Sequence, residues 1–157
     1  MTDSDLLDAG QQQLWNTWMR AHRLLVREVD RRLQAEFGIS KAEFSVLVTL
    51  LHAPGQQLRV QELADSLGWE KSRVSHQLTR VENRGFVVRA EGGASGRRTG
   101  IGLARKGRRL AEQALHGHAR AIRECFFDPL TPEQAGAILS WSEQLIDRVE
   151  SPPAEQP

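Results

Sequence analysis

Between Glu70 and Glu82 the chain runs for eleven residues without an acid. Within that window Ser72, Arg73, Ser75, His76, Gln77 and Arg80 can each donate a hydrogen bond. Such donors are what base edges and phosphate oxygens require. An ordinary surface helix would mix in Glu for pairing at i,i+4. Val74, Leu78 and Val81 recur at three- and four-residue steps, which predicts a helix with one buried edge and a donor-rich outer face. A second basic cluster, Arg97 and Arg98, follows the glycine-rich run Gly92-Gly93-Ala94-Ser95-Gly96. An arginine carried on a hairpin tip can enter a narrow minor groove, where the potential is most negative. An exposed loop with incidental charge would carry the same residues. Lys71, Arg84, Arg89 and Lys106 flank these clusters and are expected either to contact phosphates or to brace the elements that do.

The net charge of +1 hides a division. Residues 71–109 hold eleven Lys/Arg against Glu82 and Glu91, which is +9, so the remainder is −8. One face suited to a polyanion on an acidic body is the reading this asymmetry supports. A solvated charged face is the plainer alternative, but here the charge coincides with the donor helix and the hairpin.

These groups need a scaffold, and the pattern around them supplies one. Val60 to Leu67 reads as a short helix, Gly68 as a tight turn with Trp69 as an apolar staple, and Lys71 to Arg84 as the donor helix. Leu63, Ala64 and Leu67 form the inner face of the short helix. Phe86 to Glu91 and Thr99 to Leu103 read as two strands joined by a glycine-rich tip. Helix, turn, helix and hairpin is the plan of a winged helix-turn-helix. Upstream, Gln11 to Phe37 has helical apolar periodicity and ends at Gly38, and Ser40-Lys41-Ala42-Glu43 is a capping box for the next helix. Pro54-Gly55 ends that helix, and Leu58-Arg59-Val60 is expected to form a small strand. Downstream, helical periodicity runs from Arg105 to Phe126, Pro129 stops it, and Thr131-Pro132-Glu133-Gln134 launches a last helix. The fold class expected is mainly α with a small β-hairpin wing. Residues 40–104 form the winged head, 11–37 and 105–150 a helical region, and 1–10 and 151–157 flexible tails. A long amphipathic helix near a terminus either lies on its own domain or packs against another subunit.

Other chemistry finds little support. There is no His-Glu-x-x-His, paired-cysteine site, P-loop or nucleophile elbow, so neither an enzyme, a cofactor nor a metal is expected. His116 and His118 lie two apart and do not share a helix face, and His22 and His52 fall on separate helices. Cys125, the lone cysteine, excludes an internal disulfide and reads as a buried structural thiol. No apolar run approaches a membrane span, and the acidic start, Met1 to Asp5, lacks a signal pattern, so a cytoplasmic protein is expected. Trp15, Trp18 and His22 sit about a turn apart and could line a ligand cavity with Phe44 and Leu47, though aromatic residues at this spacing more often form core.

In order and in motif the chain resembles the MarR family of bacterial transcriptional regulators. The match is carried by Leu63-Ala64-Asp65-Ser66-Leu67-Gly68, Val74-Ser75-His76-Gln77-Leu78 and Val81-Glu82-Asn83-Arg84-Gly85-Phe86-Val87-Val88-Arg89. Leu103-Ala104-Arg105-Lys106-Gly107 is similar to the family's Leu-Thr-x-x-Gly at the start of the long helix. The resemblance implies a homodimer whose N-terminal helix and last two helices interlock with the partner's. It implies two recognition helices in successive major grooves of a pseudo-palindromic duplex site. It also implies a repressor, released by a small aromatic or phenolic effector bound between the dimer region and the head. Three positions depart from the family pattern. Ser95 stands where relatives place an acid two before the wing arginine, Arg97. Glu70 replaces a small N-cap and is expected to cap weakly, and Ala104 replaces a capping Thr. A winged helix that docks an acidic protein is the alternative from another class, and a regulator without an effector is a third.

Overall fold

Side-chain caps at Asp8, Ser40 and Thr131 set where three of the helices begin. A computed structural model of the protein describes residues 6–92 and 97–151, with the side chains of 90–99 outside that description. The expected tip residues Gly93 to Gly96, Ser95 among them, therefore lie outside the described residues, as do residues 1–5 and 152–157 of the expected tails. Helix α1 spans Ala9–Phe37 and starts two residues earlier than its apolar periodicity predicts. The reason is Asp8, whose carboxylate accepts from the Gln11 amide at 2.8 Å while the Gln11 side chain accepts from the Asp8 amide at 3.0 Å. Helix α2, Lys41–His52, starts at the Ser40–Glu43 box. A short turn at Pro54–Gln56 leads to β1, Gln57–Leu58, shorter and one residue earlier than expected.

Helix α3, Val60–Leu67, and helix α4, Lys71–Asn83, form the helix-turn-helix. At the turn the Trp69 amide donates to the Ala64 carbonyl at 3.0 Å. Helix α4 closes the same way: Gly85 takes φ 73°, and the Phe86 amide returns to the Val81 carbonyl at 2.9 Å. Only glycine adopts that backbone cheaply, so Gly85 is what turns the chain from α4 into the wing. Glu70, at the N-cap of α4, makes no side-chain cap bond, which corrects the expectation that it caps weakly.

Strands β2, Val87–Gly92, and β3, Arg97–Leu103, pair antiparallel, and β1 joins β3 on its other side. Strand β3 begins two residues before its apolar run, so Arg97 and Arg98 stand in the ladder, opposite Gly92 and Glu91, with an irregularity between Ala90 and Glu91. Helix α5, Arg105–Ile122, returns from the wing. One core joins these elements. Leu33 of α1, Phe44, Val46, Leu47 and Leu50 of α2, Leu63 and Ala64 of α3, Val74, Leu78 and Val81 of α4, the wing's Phe86, Val87 and Ile101, and Ala111 and Ala114 of α5 are buried together.

The chain divides into two compact units, Met1–Ala121 and Ile122–Pro157. In the second, the helical path continues as a π-turn, Arg123–Phe127, where the Asp128 amide reaches the Arg123 carbonyl at 2.9 Å. Cys125 is half-buried there, less enclosed than a core thiol. Helix α6, Pro132–Glu150, follows the Thr131–Gln134 capping box and buries none of its residues. No described helix is long and apolar enough to cross a membrane.

Helix α5 packs tightly against the start of the wing at Gly107. A β carbon there would collide with the Phe86 carbonyl oxygen, which accepts the Ala104 amide at 2.9 Å. The Gly107→Ala variant must push α5 off the start of the wing. A stability loss of about 1–3 kcal/mol is expected in urea unfolding; an unchanged midpoint would contradict this packing.

Candidate nucleic-acid interface

Helix α4 presents two unlike faces. Val74, Leu78 and Val81 are buried, while Lys71, Ser72, Arg73, Ser75, His76 and Arg80 are exposed. Among the described residues, the side chains of Lys71, Ser72, Ser75, His76 and Arg80 have no hydrogen-bond or ion-pair partner, so their donors point to solvent unspent. Thr79 differs: its hydroxyl donates back to the Ser75 carbonyl at 3.0 Å. Arg73 lies with its guanidinium 4.0 Å from the centre of the Trp69 ring. Trp69 is half-buried against the core, so it anchors the turn and supports the arginine on its outer side.

Gln77 is not on the outer face with the others. At about 100° per residue it falls roughly 60° from the buried line through Val74, Leu78 and Val81. It is half-buried, and its Oε1 is buried without a partner. A donor-and-acceptor residue on the shoulder of the helix is hard to tell from an outer one by type alone.

The flanking basic residues are engaged by the protein. The Arg84 guanidinium donates to Glu43 Oε1 and to the Gly38 carbonyl, each at 2.9 Å. Arg89 Nε donates to Glu82 at 3.1 Å, tying β2 to α4. Lys106 Nζ donates to the Arg84 carbonyl at 3.2 Å. Arg108 donates to the Gln56 side chain, tying α5 to the turn before β1. Of the flanking set, Lys71 alone has no hydrogen-bond or ion-pair partner among the described residues, while Arg84 and Arg89 meet carboxylates and Lys106 a carbonyl. The sequence signalled the Ser40–Glu43 box but held no sign of its third member, which lies 41 residues on.

Glu43 is the buried charge of this region, at 1% exposure. Burial alone would push its carboxyl up. The Ser40 amide, the Arg84 guanidinium and the Ser40 hydroxyl outweigh that and hold it below the usual carboxylate range. His118, which shares no helix face with His116, sits over Phe44 with ring centres 4.7 Å apart and its Nε2 3.1 Å from Lys41 Nζ. Burial first and Lys41 second push its pKa down, against an opposing pull from Asp30. The Lys41–His118 contact ties α5 to the start of α2.

The five residues read as a cavity wall are not gathered within one chain. Phe44 and Leu47 lie in the core, whereas Trp15, Trp18 and His22 are exposed. Trp18 and His22 do face one another, at 6.1 Å between rings. Trp15 precedes Val29, the first buried residue of α1, by about 21 Å of helix. A different concavity, of about 310 Å³, lies between α1 and α5 beside Arg31, Arg32, Glu36, Gly117 and Arg120. Its guanidiniums already meet carboxylates, Arg31 and Arg32 at Glu28 and Arg120 at Glu36. Among the described residues no group of three or more His, Cys, Asp or Glu gathers as a metal site would.

The comparisons converge on one class. A MarR family transcriptional regulator from Streptomyces coelicolor, solved in complex with DNA, is 30% identical, covers 97% of this chain and 96% of its own, and superposes with a TM-score of 0.76. AbsC, a MarR family transcriptional regulator of the same organism, is 28% identical over 92% of this chain and 97% of its own, with a TM-score of 0.77. An uncharacterized HTH-type transcriptional regulator of Bacillus cereus is 27% identical over 124 residues, 78% of this chain and 80% of its own. The family model "Sugar-specific transcriptional regulator TrmB" matches residues 33–99, the end of α1 through the wing. These relatives are transcriptional regulators.

Relieving the orphaned carbonyl of Gln77 is expected to stabilise the fold. Gln77→Met keeps the length and removes the buried oxygen, for a gain of about 1–3 kcal/mol, read from the urea midpoint. A midpoint that stays or falls would mean that the carbonyl is satisfied in solution.

Proposed function

The chain belongs to the MarR family of transcriptional regulators, and from that premise we propose that it binds double-stranded DNA as a homodimeric repressor. The observation that carries the proposal is the outer face of α4, a row of unspent donors without an acid, opposite an edge locked into the core. Ser72, Arg73, Ser75, His76 and Arg80 read base edges and phosphates in the major groove. Gln77 joins them by rotating its amide outward, which also relieves its unpaired oxygen. Arg97 enters the minor groove from the start of β3, supported by Arg98. Lys71 contacts phosphate.

Two observations support the dimer. The N-terminal half of α1 exposes Leu14, Trp15 and Trp18, and α6 exposes Leu139, Trp141, Ile146 and Val149. Large apolar side chains on two terminal helices are the surface a partner subunit would cover. Symmetry then places the two heads on a pseudo-palindromic site, with half-sites about one helical turn apart. A partner's helix over Trp15, Trp18 and His22 would enclose a site for a small aromatic effector whose binding releases DNA.

Fluorescence anisotropy on duplex DNA at low and moderate salt tests the binding. Affinity should fall steeply with salt, and Arg97→Ala should weaken binding and reduce the salt slope by roughly one. Binding with neither change rejects the wing's role; no binding, or none that depends on salt, favours the protein-docking alternative. Sedimentation tests the dimer. The wild type should sediment as a dimer and Ile146→Glu as a monomer; a monomeric wild type rejects the proposed assembly.

A further inference from the structure

We propose that Arg84 and Glu43 are a positioning pair that aims the recognition helix α4, so that DNA affinity depends on both although neither touches DNA. The proposal rests on the DNA-binding reading above. Arg84 directly follows the last residue of α4, and its planar fork makes two bonds in different directions. Nη1 meets Glu43 Oε1 and Nη2 meets the Gly38 carbonyl, each at 2.9 Å. The other Glu43 oxygen accepts the Ser40 amide at 2.8 Å. Arg84 also lies over the Phe86 ring at 4.7 Å, and its backbone carbonyl takes Lys106 of α5 at 3.2 Å. One residue thus joins the turn after α1, the start of α2, the end of α4 and the start of α5.

The apolar edge of α4 cannot do this alone. Burial of Val74, Leu78 and Val81 holds the helix to the core but is non-directional, so it resists tilting weakly. A bidentate guanidinium fixes direction as well as distance. The lever is long. Arg73 stands eleven residues before Arg84, about 16 Å along the axis. A tilt of roughly 10° at the joint moves Arg73 by about 3 Å, more than the tolerance of a hydrogen bond to a base. Glu43 makes the reading distinctive, because a carboxylate at 1% exposure cannot meet DNA.

Arg84→Lys, Arg84→Gln and Glu43→Gln in the full chain test the pair. Lysine keeps the charge but cannot hold both partners in one plane, and glutamine at 43 has one acceptor oxygen for two donors, so its NH2 must face either the Arg84 guanidinium or the Ser40 amide. Binding to one duplex is measured well below each variant's unfolding temperature, with amide hydrogen exchange along α4. All three are expected to bind about tenfold more weakly with an unchanged salt slope, and to exchange faster in α4. The Arg84→Lys, Glu43→Gln double variant should be no weaker than the worse single. If Arg84 instead grips phosphate, lysine restores binding, Arg84→Gln lowers the slope by about one and Glu43→Gln is harmless; that pattern overturns the proposal. Unchanged exchange in α4 overturns it too, even if one variant fails to fold. A wild type that binds no duplex rejects the DNA reading instead, and exchange still decides whether the joint holds α4.

Discussion

A carboxylate taken out of water must be met on every side, and in this fold that requirement falls on Glu43. Its two oxygens accept from the Ser40 amide and the Arg84 guanidinium, and the same guanidinium donates to the Gly38 carbonyl. Three chain segments far apart in sequence must therefore come to one point. Just beside that point the Phe86 carbonyl accepts the Ala104 amide, with Gly107 of α5 packed directly against it. The end of α1, the start of α2, the end of α4 and the start of α5 all terminate at this junction. The wing leaves from it.

Around that junction helix α4 separates a buried edge from an open face. The inner edge of α4 is apolar and buried, and its outer face carries donors that the protein leaves unspent. The cations nearest the junction, Arg84, Arg89 and Lys106, are bound within the protein. Part of the basic charge in this region thus holds the head together, and part stands open on the outer face of α4.

Much of this was legible in the residues, for identifiable reasons. Period and punctuation revealed the helix-turn-helix, because Gly68 and Gly85 mark its turns and Val74, Leu78 and Val81 its buried edge. The boxes at Ser40 and Thr131 are local, three residues from end to end, and both appear as read. What was not legible is long-range or rotational. Nothing local pairs Glu43 with Arg84, and residue type alone placed Gln77 on the outer face although its helical angle puts it on the shoulder. Asp8 was missed as a cap because the apolar stripe begins only at Leu14. The cavity proposed from Trp15, Trp18, His22, Phe44 and Leu47 needed distances along α1 that spacing on one helix does not carry.

On the proposed function, the outer face of α4 reads duplex sequence as one half of a symmetric pair. The direct test is selection of bound fragments from the source genome by the purified full chain. The account predicts that recovered fragments share an imperfect inverted repeat, with half-sites centred about 10 base pairs apart, and that Arg73→Ala blurs the same position in both halves. Recovery of fragments with no common sequence, or of a single unpaired half-site, would contradict it.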